Sequence, residues 1–110
     1  MVENRVFVYI WEYRVKKDSL SEFEKIYGPH GKWAELFRKD NGYLSTDLHK
    51  DITKTNRYIT IDYWISKNAR NSFRHLYGKE FKELDEYCDS LTEKEELIGD
   101  FYCFTDRFIE

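Results

Sequence analysis

The ten residues Arg57-Tyr-Ile-Thr-Ile-Asp-Tyr-Trp-Ile-Ser66 constrain this chain more than any other stretch, because bulky side chains alternate along them with a period of two. Ile59, Ile61, Tyr63 and Ile65 point one way, and Tyr58, Thr60, Asp62 and Trp64 the other. Branched and aromatic residues at nearly every position predict a strand. Bulk on both sides means both faces need cover, one from the chain's own helices and the other from a second subunit. With 110 residues the chain makes one domain, residues 1–110, which hides only roughly two-thirds of its unfolded surface, so association would help it.

Val6 to Val15 predicts a second such strand, with Val6, Val8, Ile10 and Glu12 opposed to Phe7, Tyr9, Trp11 and Tyr13. Ser19-Leu-Ser-Glu22 then has the form of a capping box that opens a helix. Its apolar positions Leu20, Phe23, Ile26 and Tyr27 are interrupted by Gly28-Pro-His-Gly31, where Pro29 cannot continue the ladder, and Trp33, Leu36 and Phe37 resume the stripe. Asp40-Asn-Gly42 is expected to close it with left-handed geometry at Asn41 or Gly42. Tyr43 to His49 predicts a strand joined by the polar turn 50–56 to Arg57–Ser66 as an antiparallel hairpin.

Ser66 is placed to cap a long helix with apolar positions Phe73, Leu76, Tyr77, Phe81, Leu84, Tyr87, Cys88 and Leu91, kinked or divided at Gly78. Thr92-Glu-Lys-Glu95 resembles another capping box and predicts a short helix to about Ile98, stopped by Gly99, before a last strand from Phe101 to Phe108. The order β-α-β-β-α-β implies an α+β fold, a ferredoxin-like sandwich with an antiparallel sheet whose first and third strands are central. The aliphatic set Val6, Val8, Ile10, Ile59, Ile61 and Ile65 is assigned to a face that meets a twin. Tyr9, Tyr13, Asp62 and Trp64, which have polar atoms to satisfy, are assigned to a cavity beneath the helices.

Composition removes several function classes. Three Trp, nine Tyr and eight Phe are more large rings than one small core needs, so some are expected to line a pocket or an interface. A net charge of −3 with mixed signs gives no basic stripe for nucleic acid. No apolar run is long enough for a membrane span and no cleavable leader pattern is present, so a cytoplasmic protein is expected. Cys88 and Cys103 form no Cys-x-x-Cys pair and are read as reduced thiols. His30, His49 and His75 lie in separate elements without ligand spacing, so no metal site is expected.

The segments Phe23-Glu-Lys-Ile-Tyr-Gly-Pro-His-Gly-Lys-Trp-Ala-Glu-Leu-Phe37, Gly42-Tyr-Leu44, Arg57-Tyr-Ile-Thr-Ile-Asp62 with Trp64, and Leu91-Thr-Glu93 together resemble the antibiotic biosynthesis monooxygenase domain family. The resemblance covers nearly the whole chain. It implies a dimeric α/β barrel, and a superfamily containing oxygenases that oxidise phenolic polyketides without metal or flavin, haem-degrading enzymes, and proteins of no known activity. The haem-degrading branch has an Asn on the first strand, a Trp on the third and a His on the second helix. Trp64 matches, whereas Tyr13 and Asp85 replace the other two, so no haem and no other cofactor is expected. His75 lies ten residues before Asp85, nearly three turns away.

The expected site therefore has Asp62 as a general base and Trp64 as a catalytic wall, with Tyr9, Tyr13, Trp33 and His75 contacting a small apolar or aromatic ligand. A mid-strand carboxylate among apolar residues is costly to bury, and burial raises its pKa toward a useful value. A salt bridge from Asp62 to Arg38 or Arg74 would remove that role.

Overall fold

The computed structural model describes residues 5–108, so the two ends of the expected 1–110 domain lie outside the described residues. Strand β1 (Arg5–Val15) leads to helices α1 (Leu20–Tyr27) and α2 (Lys32–Phe37), then the hairpin β2 (Tyr43–Lys50) and β3 (Arg57–Trp64). Helices α3 (Lys67–Leu76) and α4 (Gly78–Cys88) follow, then a 3₁₀ turn (Asp89–Leu91) and strand β4 (Thr92–Phe104). The sheet is antiparallel in the order β2-β3-β1-β4, with the first and third strands central as the ferredoxin-like pattern requires. The sheet is open rather than closed on itself. Among the described residues, no helix is long and apolar enough to cross a membrane.

Local signals explain most boundaries. The Ser66 hydroxyl accepts from Ala69 N at 3.1 Å, which starts α3, and Gly78 divides the expected long helix into two. Leu76 and Tyr87, expected on the apolar stripe, are exposed. Ser19 precedes α1, but its hydroxyl donates to Asp18 Oδ1 and Glu22 accepts from the Tyr87 hydroxyl at 2.6 Å, so the expected capping box does not form. Asn41 and Gly42 do not adopt the expected left-handed geometry either. The Asp40 carboxylate accepts from Gly42 N at 2.8 Å instead, and a Cβ at Gly42 would lie 2.4 Å from the Ala69 methyl.

The largest correction concerns residues 92–98, expected as a helix and found as the first half of β4. Their helix formers are overruled because β1 needs a partner on its outer edge, and Tyr13 pairs with Glu95 and Trp11 with Leu97. Ile10 then pairs with Gly99, which leaves Ile98 as the extra residue of a bulge. Gly99 has φ +156°, so it permits this bulge rather than stopping a helix. The final strand ends at Phe104 rather than Phe108.

The core lies between the helices and the inner face of the sheet, and it is mostly rings. Phe23 stacks on Tyr27 with centroids 4.1 Å apart, and Phe37, Tyr43 and Phe73 surround Trp64 at 5.4–5.6 Å. On the outer face the chain's own tail covers Tyr63: Phe108 lies 5.3 Å from its ring and Arg107 reaches Asp47 at 2.9 Å. Val8, beside cross-strand neighbours Tyr63 and Phe101, is buried within one chain. Ile65 falls beyond the end of β3 and is exposed. Val6, Ile10, Ile59 and Ile61 remain half-buried there, so the aliphatic face is smaller than the sequence implied.

Candidate functional site

Antiparallel pairing places directly opposite residues on the same face, so the register builds the site in rows. Tyr9 on β1, Asp62 on β3 and Thr46 on β2 form one row, and Trp11, Thr60 and Leu48 form the next. All of these but Leu48 floor a cavity of about 220 Å³ between sheet and helices. Tyr13 and Trp64 extend the floor, Tyr27, Trp33 and Phe37 descend from α1 and α2, and Arg70, Phe73, Arg74, Phe81 and Asp85 come from α3 and α4. Glu95 joins from β4.

Asp62 is deeply enclosed, and the fraction of its surface that stays open faces the cavity. Its Oδ1 accepts from the Thr46 hydroxyl at 2.8 Å, and that hydroxyl lies 2.7 Å from the Tyr43 hydroxyl. Because the single proton of Thr46 goes to Asp62, Tyr43 donates to Thr46, and a short relay runs from Tyr43 to the carboxylate. Burial pushes the Asp62 pKa up to about 6, against the opposing pull of the Thr46 hydrogen bond and the Arg70 charge. The salt bridge to Arg38 or Arg74 is not formed. Arg38 donates to the Pro29 carbonyl at 2.7 Å, and Arg74 stacks over Phe81 at 3.9 Å.

Tyr13 is buried, which drives its pKa well above the ordinary phenol range, so its hydroxyl is neutral. Burial likewise raises Tyr27. Thr60 Oγ1 lies close enough to the Tyr13 hydroxyl to restrain that rise, and Trp33 Nε1 does the same for Tyr27, yet neither atom reaches hydrogen-bond geometry with any partner. Two buried polar atoms on cavity-lining residues thus have no hydrogen-bond partner among the described residues.

Trp64 is wedged among rings and 1% exposed, so it is a rigid wall of this space. Tyr9, Tyr13, Trp33, Asp62 and Trp64 converge on the cavity, whereas His75 does not. Two positions beyond the buried Phe73, it faces the other side of α3, in a shallow depression with Asn68, Asn71, Ser72 and Leu76. No histidine lines the cavity, and Asp85 sits with Asp89 and Glu95, their carboxylate oxygens within 4.8 Å of one another. Burial and mutual repulsion raise the pKa of Asp85 and Glu95. The lining thus offers no imidazole as a ligand for haem iron.

Sequence reasoning missed Arg70, Thr46 and Glu95, and noted Asp85 only as the residue standing where the haem-degrading branch has its histidine. Arg70 was within reach, since it lies three positions before Phe73 and so shares its helix face. Thr46 follows from hairpin register only once the turn is known. Glu95 was hidden by the mistaken helix.

The antibiotic biosynthesis monooxygenase family model matches residues 6–87. Among solved structures, the chain is similar to SnoaB of Streptomyces nogalater, a cofactor-independent oxygenase, with 18% identity over 96% of this chain and 97% of that one and a TM-score of 0.68. A putative antibiotic biosynthesis monooxygenase from Nitrosomonas europaea gives 9% identity, coverage of 97% and 95%, and a TM-score of 0.67. A conserved protein of Methanosarcina mazei Go1 gives 11%, coverage of 93% and 94%, and a TM-score of 0.64. At such identities the structural likeness speaks for the fold alone, and no curated protein matches the sequence. With the family model covering most of its length and the fold in agreement, the chain belongs to the antibiotic biosynthesis monooxygenase family.

Proposed function

We propose that this protein binds a small aromatic, phenolic ligand between helices and sheet and oxidises it with molecular oxygen, the ligand supplying the electrons and no cofactor taking part. The observation that carries the reading is Asp62: a carboxylate with a pKa of about 6, tied to one neutral hydroxyl and open to a ring-lined cavity, is a base poised near neutrality. It would take the phenolic proton, leaving an electron-rich phenolate among the rings of the cavity. Tyr9, Tyr13 and Trp33 would contact the ligand and Trp64 would fix the plane of its ring.

A second reading keeps the cavity and drops the chemistry, giving a ligand-binding homodimer of the same fold. Oxygen consumption with a panel of phenols and hydroquinones separates the two. Catalysis above the uncatalysed rate that falls at least a hundredfold in Asp62→Asn and several-fold in Trp64→Phe supports the oxygenase. Equal, background-level rates in all three proteins support the binding module.

In either reading the protein works in the cytoplasm as a homodimer through the outer sheet face, where Ile10, Ile59 and Ile61 stay half-buried in one chain. Sedimentation should give twice the chain mass, and Ile59→Lys should halve it. A wild-type monomer at micromolar concentration would remove the dimer from the proposal.

A further inference from the structure

Asp62 and Arg70 carry opposite charges and line one cavity, yet they form no ion pair. Each is held by its own anchor. Thr46 grips Asp62 Oδ1 at 2.8 Å, and the Tyr9 ring lies 3.8 Å beneath the Arg70 guanidinium. Because Tyr9 and Asp62 are cross-strand partners, this stack keeps the guanidinium over the carboxylate's row. Asp62 Oδ2 accepts no hydrogen bond and the Arg70 guanidinium donates none among the described residues. Opposite charges with unused acceptor and donor capacity on the lining of one cavity suit a guest that offers a proton donor to one and acceptors to the other.

The bridge must be thin, flat and small. The walls are rings, and about 220 Å³ is less than the roughly 300–1,000 Å³ of pockets for drug-sized ligands, which leaves room for one or two fused rings. A carboxylate oxygen needs a proton donor, and a guanidinium fork suits two neighbouring oxygen acceptors.

We propose that Asp62 and Arg70 form a two-point subsite for an aromatic ring bearing adjacent oxygens, a catechol or an ortho-hydroxy carbonyl compound. Asp62 Oδ2 takes the hydroxyl proton. The ligand's O–H bond breaks, a new O–H bond forms on the carboxyl group, and the electron pair stays on the ligand oxygen, where Arg70 holds it together with its neighbour. Nothing is oxidised in this step. It rests on the cavity being the aromatic-ligand site described above. The other ionisable groups around the pair are Tyr9 and Tyr13 on β1, Tyr43 through Thr46 on β2, Asp100 on β4, which pairs with Lys67 at 3.9 Å, and Arg74 on α3, with Asp85 and Glu95 on the lining of the same cavity.

Tryptophan fluorescence and ligand absorbance, titrated with 2,3-dihydroxynaphthalene, 2-naphthol and naphthalene, test it. The dihydroxy compound should bind at least tenfold tighter than 2-naphthol and show the red-shifted spectrum of its monoanion at a pH where the free compound is neutral. Arg70→Gln should abolish both the preference and the red shift. Arg70→Lys, which keeps the charge without the fork, should keep part of the red shift and lose the preference. Equal affinities for the two naphthols, or a preference that survives in folded Arg70→Gln or Arg70→Lys, overturns the subsite while the cavity reading stands. Binding of none of the three compounds overturns the cavity reading itself, and the subsite with it.

Discussion

Asp47 and Asp62 stand on neighbouring strands of the same sheet, yet they titrate in opposite directions. Asp47 points to the outer face, accepts from Arg107 at 2.9 Å and from the Tyr63 hydroxyl at 2.9 Å, and its pKa is lowered, chiefly by the Arg107 bond. Asp62 points to the inner face, accepts from one threonine, and its pKa is raised by burial. The same division runs along β1 and β3, where Glu12 and Arg57 pair on the outer face, with Asp51 beside them, while Arg70 above the inner one forms no ion pair among the described residues. The sheet therefore sorts its charges: those on the outer face are paired with one another, and Asp62 on the inner face is buried against a single threonine at a cost in stability.

The contrast breaks most visibly at its wall. Trp64→Ala should cost about 3–5 kcal/mol in chemical denaturation, and by admitting water it should bring the Asp62 carboxyl down toward the ordinary range in an NMR titration. An unchanged Asp62 pKa in that variant would mean that burial is not the cause of the shift.

Next in size is Asp62→Asn, which retains an acceptor for Thr46. An acid whose folded pKa is raised binds more protons folded than unfolded, so its contribution makes stability fall as pH rises from about 4 to about 6. The variant should be more stable than wild type by about 2–3 kcal/mol above pH 6 and gain nothing below about pH 4. Equal denaturation midpoints at pH 7 would contradict a charge held at a cost.

Smallest is Asp47→Asn, where the sign reverses. A depressed acid stabilises above its unfolded pKa, and that support is lost as pH falls through the folded value. With both partners partly solvated, the cost at pH 7 should be only about 0.5–1 kcal/mol and should shrink in about 1 M salt. A loss as large as the gain in Asp62→Asn would erase the distinction between the faces.

The central strands were legible because a period of two with bulk on both sides has few other solutions. Asp62 was legible as an anomaly, a carboxylate where neighbours are apolar. Residues 92–98 were misread because their local preference is helical and only the unpaired edge of β1 overrides it, a demand that no window of sequence contains. His75 was misplaced because two residues along a helix reverse the facing, and residue type outweighed angle in that choice. The tail's return to Asp47 was invisible for the opposite reason, since Arg107 lies 60 positions away and no pattern links the two.

Gly42 joins these threads. Its missing side chain lets Ala69 settle where a Cβ would lie only 2.4 Å from that methyl, and Ala69 is the residue just before Arg70. The first turn of α3, which carries Arg70 over the cavity, thus packs against a glycine at the end of a loop, outside the cavity's lining. One added carbon there would push against the opening turn of α3, and Arg70 would shift over the cavity through a change at a residue that does not line it.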